Sequence, residues 1–164
     1  KQGKSCSASA EIYNVNRETI RKYLHKNNIK IKSISNYRKY SLNINFFDEI
    51  NTEEKAYILG LLYADGCNSI NMSGVNLVLQ EKDKTLLEKI NQIIGSNKPL
   101  SFRKVPNRKD YKCQNQFCLH ISSKHICQRM IELGCPPKKS LILKFPTEKQ
   151  VPLHLTWHFI RRIF

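Results

Sequence analysis

Apolar residues recur between residues 46 and 135 at helix and strand periods, and the two periods alternate in a definite order. Helical spacing predicts helices near residues 51–65, 83–95 and 123–134, whereas alternation predicts strands near 67–72, 75–80, 99–105 and 112–122. The resulting order is helix, two strands, helix, two strands, helix. We therefore predict an α+β unit in which helices cover one face of the paired strands.

The first predicted helix combines a clear start signal with an unusual interior. Asn51 followed by Glu54 three residues later is typical of a capping box. Gly60 interrupts the apolar run, and because glycine inside a helix costs about 1 kcal/mol relative to alanine, we expect another helix to approach closely there. Ala64 lies four residues further along the same face. The run ends on a lone carboxylate, Asp65.

Period-two sorting of the strand residues predicts an apolar face and a polar face. The apolar face comprises Leu77, Leu79, Leu100, Phe102, Phe117, Leu119 and Ile121. Amide and imidazole groups on the polar face could read base edges while cations hold phosphates; the alternative is an ordinary solvated sheet face. The residues that we predict to contact nucleic acid here are Asn71, Asn76, Arg103, Lys104, Lys112, Gln114, Gln116 and His120.

Residues 1–29 predict a small basic helical segment, in which residues 7–28 form two short helices around a tight turn. Asn14 suits the left-handed end of the first helix, and Asn16 suits the cap of the second. The spacing resembles the helix-turn-helix DNA-binding motif; the alternative is a solvated helical pair. Residues 30–45 are predicted to be a basic linker that lies along phosphates. The candidate contacts are Arg17, Arg21 and Lys22 in the second helix, and Arg38 and Lys39 in the linker.

Charge is concentrated at the two ends of the chain. The 164 residues carry a net charge of +15; residues 1–45 have ten Lys/Arg against two acids, and residues 99–164 have thirteen against three. This distribution favours nucleic acid as the partner over a membrane surface. The six cysteines lack the spacing of a disulfide scaffold, so we expect an intracellular, reducing location. The abundance of Asn, Lys and Ile would suit an organelle, a phage or a bacterial cytoplasm.

The stretch "ILGLLYADG", residues 58–66, resembles the nine-residue signature of the LAGLIDADG homing endonucleases. The positions that match the signature outright are Gly60, Leu61, Ala64, Asp65 and Gly66. The predicted order of helices and strands after the signature is similar to the core fold of that family. The resemblance implies a LAGLIDADG core domain over residues 46–135, followed by residues 136–164 as a linker and the start of a second signature helix.

The resemblance also implies a chemistry for the carboxylate. In that family two signature helices pack through their small residues, here Gly60 and Ala64, and each helix delivers one Asp to a metal site at the floor of a DNA-binding saddle. By this similarity Asp65, with Gly66 beside it, holds Mg²⁺, and Gln80 and Lys139 are catalytic residues that position water and polarise the pocket. The implied activity is site-specific, metal-dependent hydrolysis of double-stranded DNA.

The chain departs from the family pattern in its last residues. Arg162 stands where the second signature would have glycine, and the second Asp would follow Phe164. We therefore expect one metal ligand, so that cleavage requires either a homodimer or a C-terminal half that supplies the second LAGLIDADG domain. The alternative function is an inactive nucleic-acid-binding protein derived from such an enzyme, either a splicing cofactor or a structural RNA-binding component of a ribonucleoprotein such as an organellar ribosome.

Overall fold

The computed structural model describes residues 5–30, 39–106 and 113–161. The chain divides into two compact units, Lys1–Lys39 and Tyr40–Phe164. Together the described residues contain α-helices and a four-stranded antiparallel sheet, which makes the protein an α+β protein as predicted. None of the helices in these ranges has the length and apolar character that a bilayer crossing requires.

The first unit contains two short helices, α1 (Cys6–Ile12) and α2 (Arg17–Lys26). Asn14 has a φ of 50°, which is the left-handed conformation predicted for the turn. The side chain of Asn16 accepts a hydrogen bond from the amide of Glu18, which satisfies one of the free amides at the start of α2. The predicted pair of helices and its caps are confirmed.

The second unit follows the predicted order of elements. Its helices are α3 (Glu53–Asp65), α4 (Lys84–Ile93), α5 (Lys124–Glu132) and α6 (Thr156–Ile160), and its strands are β1 (Gly66–Asn68), β2 (Val75–Gln80), β3 (Ser101–Arg103) and β4 (Gln116–Ile121). From α3 to α5 the order is α-β-β-α-β-β-α. β2 has its predicted bounds, whereas β3 and β4 are shorter than predicted, and β1 is shorter because residues 69–74 form the turn between β1 and β2.

The strands form an antiparallel sheet in the order β1-β2-β4-β3. The first half of β2 is paired on both sides; Leu77, for example, has Gly66 of β1 and Leu119 of β4 as its register partners. The face that carries Leu77 and Leu119 is buried and packs towards α3 and α4. The opposite face carries Asn76, Val78 and Gln80 of β2, which are partly buried or exposed, and we call it the open face.

Phe102 corrects the predicted core. Phe102 is 53% exposed, although the alternation of β3 places it on the apolar face. The reason is that β3 is an edge strand paired with β4 alone in the described sheet; the Phe102 ring packs beside that of Phe117, at 5.3 Å between centroids. The remaining predicted core residues are buried or partly buried.

The start of α3 also differs from the prediction by one residue. The cap is Thr52, whose side chain accepts from the amide of Lys55, while Asn51 instead accepts from the Lys55 ammonium. The hydrogen bonds that involve Thr52 and the helix backbone lower the pKa of Glu54. A threonine directly before the helix therefore outcompetes the predicted Asn51 capping box.

The predicted linker is shorter than expected at its C-terminal end. The amide of Asn43 donates to the carbonyl of Ile94 at 3.1 Å, and the amide of Ser41 donates to the side chain of Asn97 at 2.8 Å. Leu42 packs against the core. Residues 40–45 therefore belong to the second unit, where they line the end of α4; Arg38 lies outside the described residues.

Candidate nucleic-acid interface and metal-ligand residue

Helix α3 is buried through its middle and reaches the surface at its two ends. Its buried residues are Ala56, Ile58, Leu59, Gly60, Leu61, Leu62 and Tyr63. Ala64 and Asp65 are exposed. A helix that is apolar on every side is typical of a protein interior, so the packing of α3 fixes where its terminal carboxylate stands.

Gly66 allows β1 to begin directly after α3. A Cβ atom at Gly66 would lie 2.5 Å from the carbonyl oxygen of Leu62, a backbone atom that cannot move aside. Gly66 itself is buried and pairs with Leu77. The chain therefore turns sharply at this residue and leaves Asp65 on the surface between the helix and the sheet.

The close helix contact predicted at Gly60 is present, and it is made by α6. A Cβ atom at Gly60 would lie 2.0 Å from the backbone oxygen of Phe159. The rings of Tyr63 and Phe159 pack edge to face with 4.9 Å between centroids. Ala64, which was predicted to share this interface, is exposed instead. Since α6 covers the Gly60 face, that face is not available to a second copy of α3 in this structure.

Lys139 contacts the C-terminal end of α3. Its ammonium donates to the carbonyl oxygens of Tyr63, at 2.5 Å, and Ala64, at 3.2 Å. These carbonyls belong to the last turn of the helix, where a cation is electrostatically favourable. Lys139 is therefore held one residue from Asp65.

Gln80 is exposed at the end of β2. Its register partner is Gln116. Leu77, the partner of Gly66, is three residues away, so roughly 10 Å of strand separates Gln80 from the level of Gly66. No hydrogen bond joins Gln80 to Asp65 or Lys139 among the described residues. The structure therefore places Gln80 at the far end of β2 and does not bond it to the carboxylate of Asp65.

The donors near Asp65 match Mg²⁺ in kind but not in number. Within residues 5–30, 39–106 and 113–161, no group of three or more His, Cys, Asp or Glu side chains could hold a metal ion. One carboxylate and a backbone carbonyl at Gly66 are hard oxygen donors of the type that Mg²⁺ prefers. Asp65 and Gly66 can therefore supply part of a magnesium site, with the remaining oxygens coming from phosphate, water or another carboxylate.

The register of the sheet arranges the open face in three rows across the strands. The first row is Cys67, Asn76 and His120; the second is Val78, Cys118 and Ser101; the third is Gln80, Gln116 and Arg103. The outer rows are polar and the middle row is mixed. Burial raises the pKa of the Cys118 thiol, with Lys98 and Arg103 opposing the effect, so this thiol is a neutral group on the face.

His120 is fixed on the open face by Asn76. The Nδ1 atom of His120 hydrogen-bonds to Oδ1 of Asn76 across the two strands. Burial lowers the pKa of His120, and the positive charge of Lys98 lowers it further. The predicted contacts Asn76, Arg103, Gln116 and His120 therefore lie together on one face of the sheet.

The other predicted sheet contacts are placed differently. Asn71 lies in the turn between β1 and β2, where its oxygen accepts from the hydroxyl of Ser69 and the amide of Ser73. Asn71 therefore stabilises the turn. Lys104 and Gln114 are exposed beyond the strand ends. Lys112 lies outside the described residues.

In the first unit, the basic residues predicted to contact DNA are exposed along α2. Arg17, Arg21 and Lys22 are all exposed, and no residue of α2 is buried. Within the part of the chain that the structure describes, the ion pair formed by these three residues joins Arg21 to Glu18 at 3.9 Å, which is a weak surface contact. Lys39 is also exposed.

Two residues of the open face were missed by the sequence analysis. Cys67 lies opposite Asn76, and Lys98 donates to the hydroxyl of Ser122 beside β4 while its charge acts on His120. Cys67 could have been found by extending the period-two pattern of the polar face from Asn71 back through Ser69. Lys98 precedes the strand and has no periodic signal.

No protein-family model, no curated protein and no solved structure matches this chain.

Proposed function

We propose that the chain contributes one half of a LAGLIDADG-type endonuclease site that hydrolyses double-stranded DNA at a specific sequence. The observation that carries this proposal is the backbone contact between Gly60 and Phe159, combined with the exposure of Asp65 at the end of the same helix. The fold around it, α-β-β-α-β-β-α, is the order that the resemblance implies. A carboxylate projected from a buried helix pair is an arrangement that stability alone does not require.

The residues near Asp65 have separate roles in this proposal. Asp65, with the carbonyl of Gly66, would hold Mg²⁺, which when bound supplies a Lewis acid for the scissile phosphate. Lys139 neutralises the last turn of α3 and holds a positive charge near the place where the phosphate would lie. Gln80 would act on water at the edge of the site rather than on Asp65 itself.

Duplex DNA would lie on the open face of the sheet. The third row places Gln80, Gln116 and Arg103 side by side, which gives amides for base edges and a cation for phosphate. In the proposal the exposed cations of α2 contact flanking DNA as a helix-turn-helix does. The basic composition supports a nucleic-acid partner, and an organelle, a phage or a bacterial cytoplasm is the proposed setting.

The second half of the site would be built on α6. Phe159 packs against Gly60 in the place that the second signature helix would occupy, so a second carboxylate would be carried by the continuation of α6. Arg162, which stands at the predicted glycine position of that helix, lies outside the described residues. Pairing of two whole chains is the other source of a second carboxylate, and it would require a surface other than the Gly60 face.

Cleavage of a random duplex DNA pool tests the proposal. We expect cutting or nicking in Mg²⁺ but not in Ca²⁺, and loss of the reaction in Asp65→Asn with DNA binding retained. Glu88→Gln is the matched control, because it also removes one exposed carboxylate and lies on α4. Cleavage that survives in Asp65→Asn, or a protein that does not bind duplex DNA, would contradict the proposal. Light scattering in the same buffers reports whether the active species is a dimer.

A second candidate function is nucleic-acid binding without cleavage. The observation that favours it is that Asp65 stands alone, since no further acidic or metal-binding group gathers around it in the described parts of the chain. Tight, salt-sensitive binding with no Mg²⁺-dependent cutting would support this candidate. Comparing duplex DNA with structured RNA in the same assay then separates a DNA clamp from a splicing cofactor or a ribonucleoprotein component.

A further inference from the structure

In the first row of the open face, two polar side chains are joined by a hydrogen bond. Asn76 and His120 are register partners, and His120 Nδ1 hydrogen-bonds to Asn76 Oδ1. Gly74 lies next to the ring, because a Cβ atom added there would be 3.1 Å from His120 Cε1. The ring therefore has a bonded partner on one side and a backbone surface on another.

This hydrogen bond determines which groups of the pair remain available. An amide oxygen only accepts, so Nδ1 of His120 carries the proton of the neutral ring. Nε2 of His120 is then an acceptor, and Nδ2 of Asn76 is a donor; neither atom has a hydrogen-bond partner among the described residues. Since burial and Lys98 both lower the pKa of His120, the ring is neutral at neutral pH.

We propose that Asn76 and His120 together read one adenine in the major groove, with Asn76 Nδ2 donating to N7 and His120 Nε2 accepting from the N6 amino group. The inference rests on the proposed binding of duplex DNA to the open face. The adenine edge offers one acceptor and one donor side by side, which complements the donor and acceptor of the pair. Protonation converts Nε2 into a donor, and two donors complement the N7 and O6 acceptors of guanine. The pair would therefore change its preferred base from adenine to guanine as the pH falls.

The groups around His120 support a ring that changes charge only in acid. Asn76 separates the ring from Cys67 of β1 in the same row, on β4 the neighbour on the same face is Cys118, and before β3 the nearby cation is Lys98. No carboxylate forms an ion pair with His120 within the described ranges. The surroundings thus contain thiols and a cation but no anion that would favour the charged ring.

Selection from a random duplex DNA pool, followed by sequencing, tests the pair at about pH 8 and about pH 5. We expect one position of the selected site to prefer adenine by about tenfold at the higher pH and guanine at the lower. His120→Gln is the informative variant, because its amide can accept but does not titrate: it should keep adenine and lose the change with pH. Asn76→Asp replaces the donor with an acceptor and should favour the amino group of cytosine at this position.

The outcomes separate this inference from the proposed function. If the selected site is specific but no position responds to pH, to His120→Gln or to Asn76→Asp, the pair does not read a base, while duplex binding stands. If no duplex sequence is enriched, the proposed binding to the sheet fails, and the inference fails with it. Circular dichroism and a thermal melt of each variant establish that it folds. If Asn76→Asp does not fold, Asn76→Ser, which keeps a donor, should retain a weakened adenine preference.

Discussion

Helices α3 and α2 both present residues that we assign to nucleic acid, but they are built in opposite ways. Seven of the thirteen residues of α3 are buried, and only its ends reach the surface. None of the ten residues of α2 is buried. The carboxylate of α3 is thus positioned by the protein interior, whereas the cations of α2 are carried by a helix that depends on its own caps.

The comparison indicates how each helix tolerates change. In α3 the residues that fix the position of Asp65 are Tyr63 and Gly60, which precede it by two and five residues and contact α6. In α2 the exposed cations contribute little to folding, since isolated surface ion pairs are worth about 0–1 kcal/mol. Folding and binding are therefore coupled through packing in α3 and are nearly separate in α2.

Gly60→Ala should give the largest loss of stability. The added methyl would overlap the backbone oxygen of Phe159, which lies 2.0 Å from the ideal Cβ position, so α3 and α6 must move apart. Overpacking of this kind costs about 3 kcal/mol. Chemical denaturation followed by circular dichroism measures the free energy of unfolding of the second unit.

Ala64→Ser is the matched control for that substitution. It adds one atom to the same helix at an exposed position, so the free energy of unfolding should change by less than about 0.5 kcal/mol. Equal effects of the two substitutions would mean that α6 does not pack on Gly60 in solution.

Removing the N-terminal caps of α2 and α3 should cost less stability than Gly60→Ala, and the two losses should be seen in different parts of the protein. Asn16→Ala and Thr52→Ala each delete one side-chain bond to a helix amide, which costs about 1 kcal/mol. Because α2 has no buried residue, Asn16→Ala should lower its helix content without moving the melting transition of the second unit. Thr52→Ala should instead shift that whole transition, because α3 belongs to the core. Amide hydrogen exchange distinguishes the two, and local fraying at α3 alone would contradict the comparison.

The order of elements could be predicted because each depends on local pattern and turn chemistry. The left-handed Asn14 and the Asn16 cap both lie where the pattern placed them. The errors arise where a tertiary contact decides the outcome. Phe102 is apolar by alternation but belongs to an edge strand, and its exposure follows from the strand order, which no local pattern records.

Two residues of the candidate site, Gly60 and Asp65, could be predicted from the sequence, but the contacts made by the other site residues could not. Gly60 and Asp65 carry a signal in the sequence itself, since a glycine and a carboxylate are unexpected in an apolar helix. The bond from His120 to Asn76 depends on the register between β2 and β4, and the reach of Lys139 to the end of α3 spans 76 residues of sequence. Such contacts follow from the three-dimensional packing of distant segments.

The effect of pH on stability should be smaller than that of removing a helix cap, and the free energy of unfolding should decrease as the pH falls. Hydrogen bonds from Arg129 and then Gln128 lower the pKa of Glu132 below its ordinary value of 4.5. A carboxylate with a lowered folded pKa stabilises the protein above 4.5 and loses that contribution as the pH falls through the folded pKa. His120 acts in the same direction, because its lowered pKa makes the unfolded state bind protons first. Glu132→Gln should flatten the decline of the melting temperature below pH 4.5, and Glu88→Gln should not.

Asp65→Asn should have the smallest effect on stability and a decisive effect on cleavage. Asp65 is exposed at the C-terminal end of α3, where the helix dipole disfavours a negative charge and Lys139 offsets only part of that cost. Removing the charge should leave the free energy of unfolding unchanged or raise it by up to about 0.5 kcal/mol, measured by the same denaturation as Gly60→Ala. A clear loss of stability would mean that Asp65 serves the fold. Unchanged stability with lost Mg²⁺-dependent cutting would mean that α3 holds its carboxylate against the preference of its own dipole, as a residue kept for function requires.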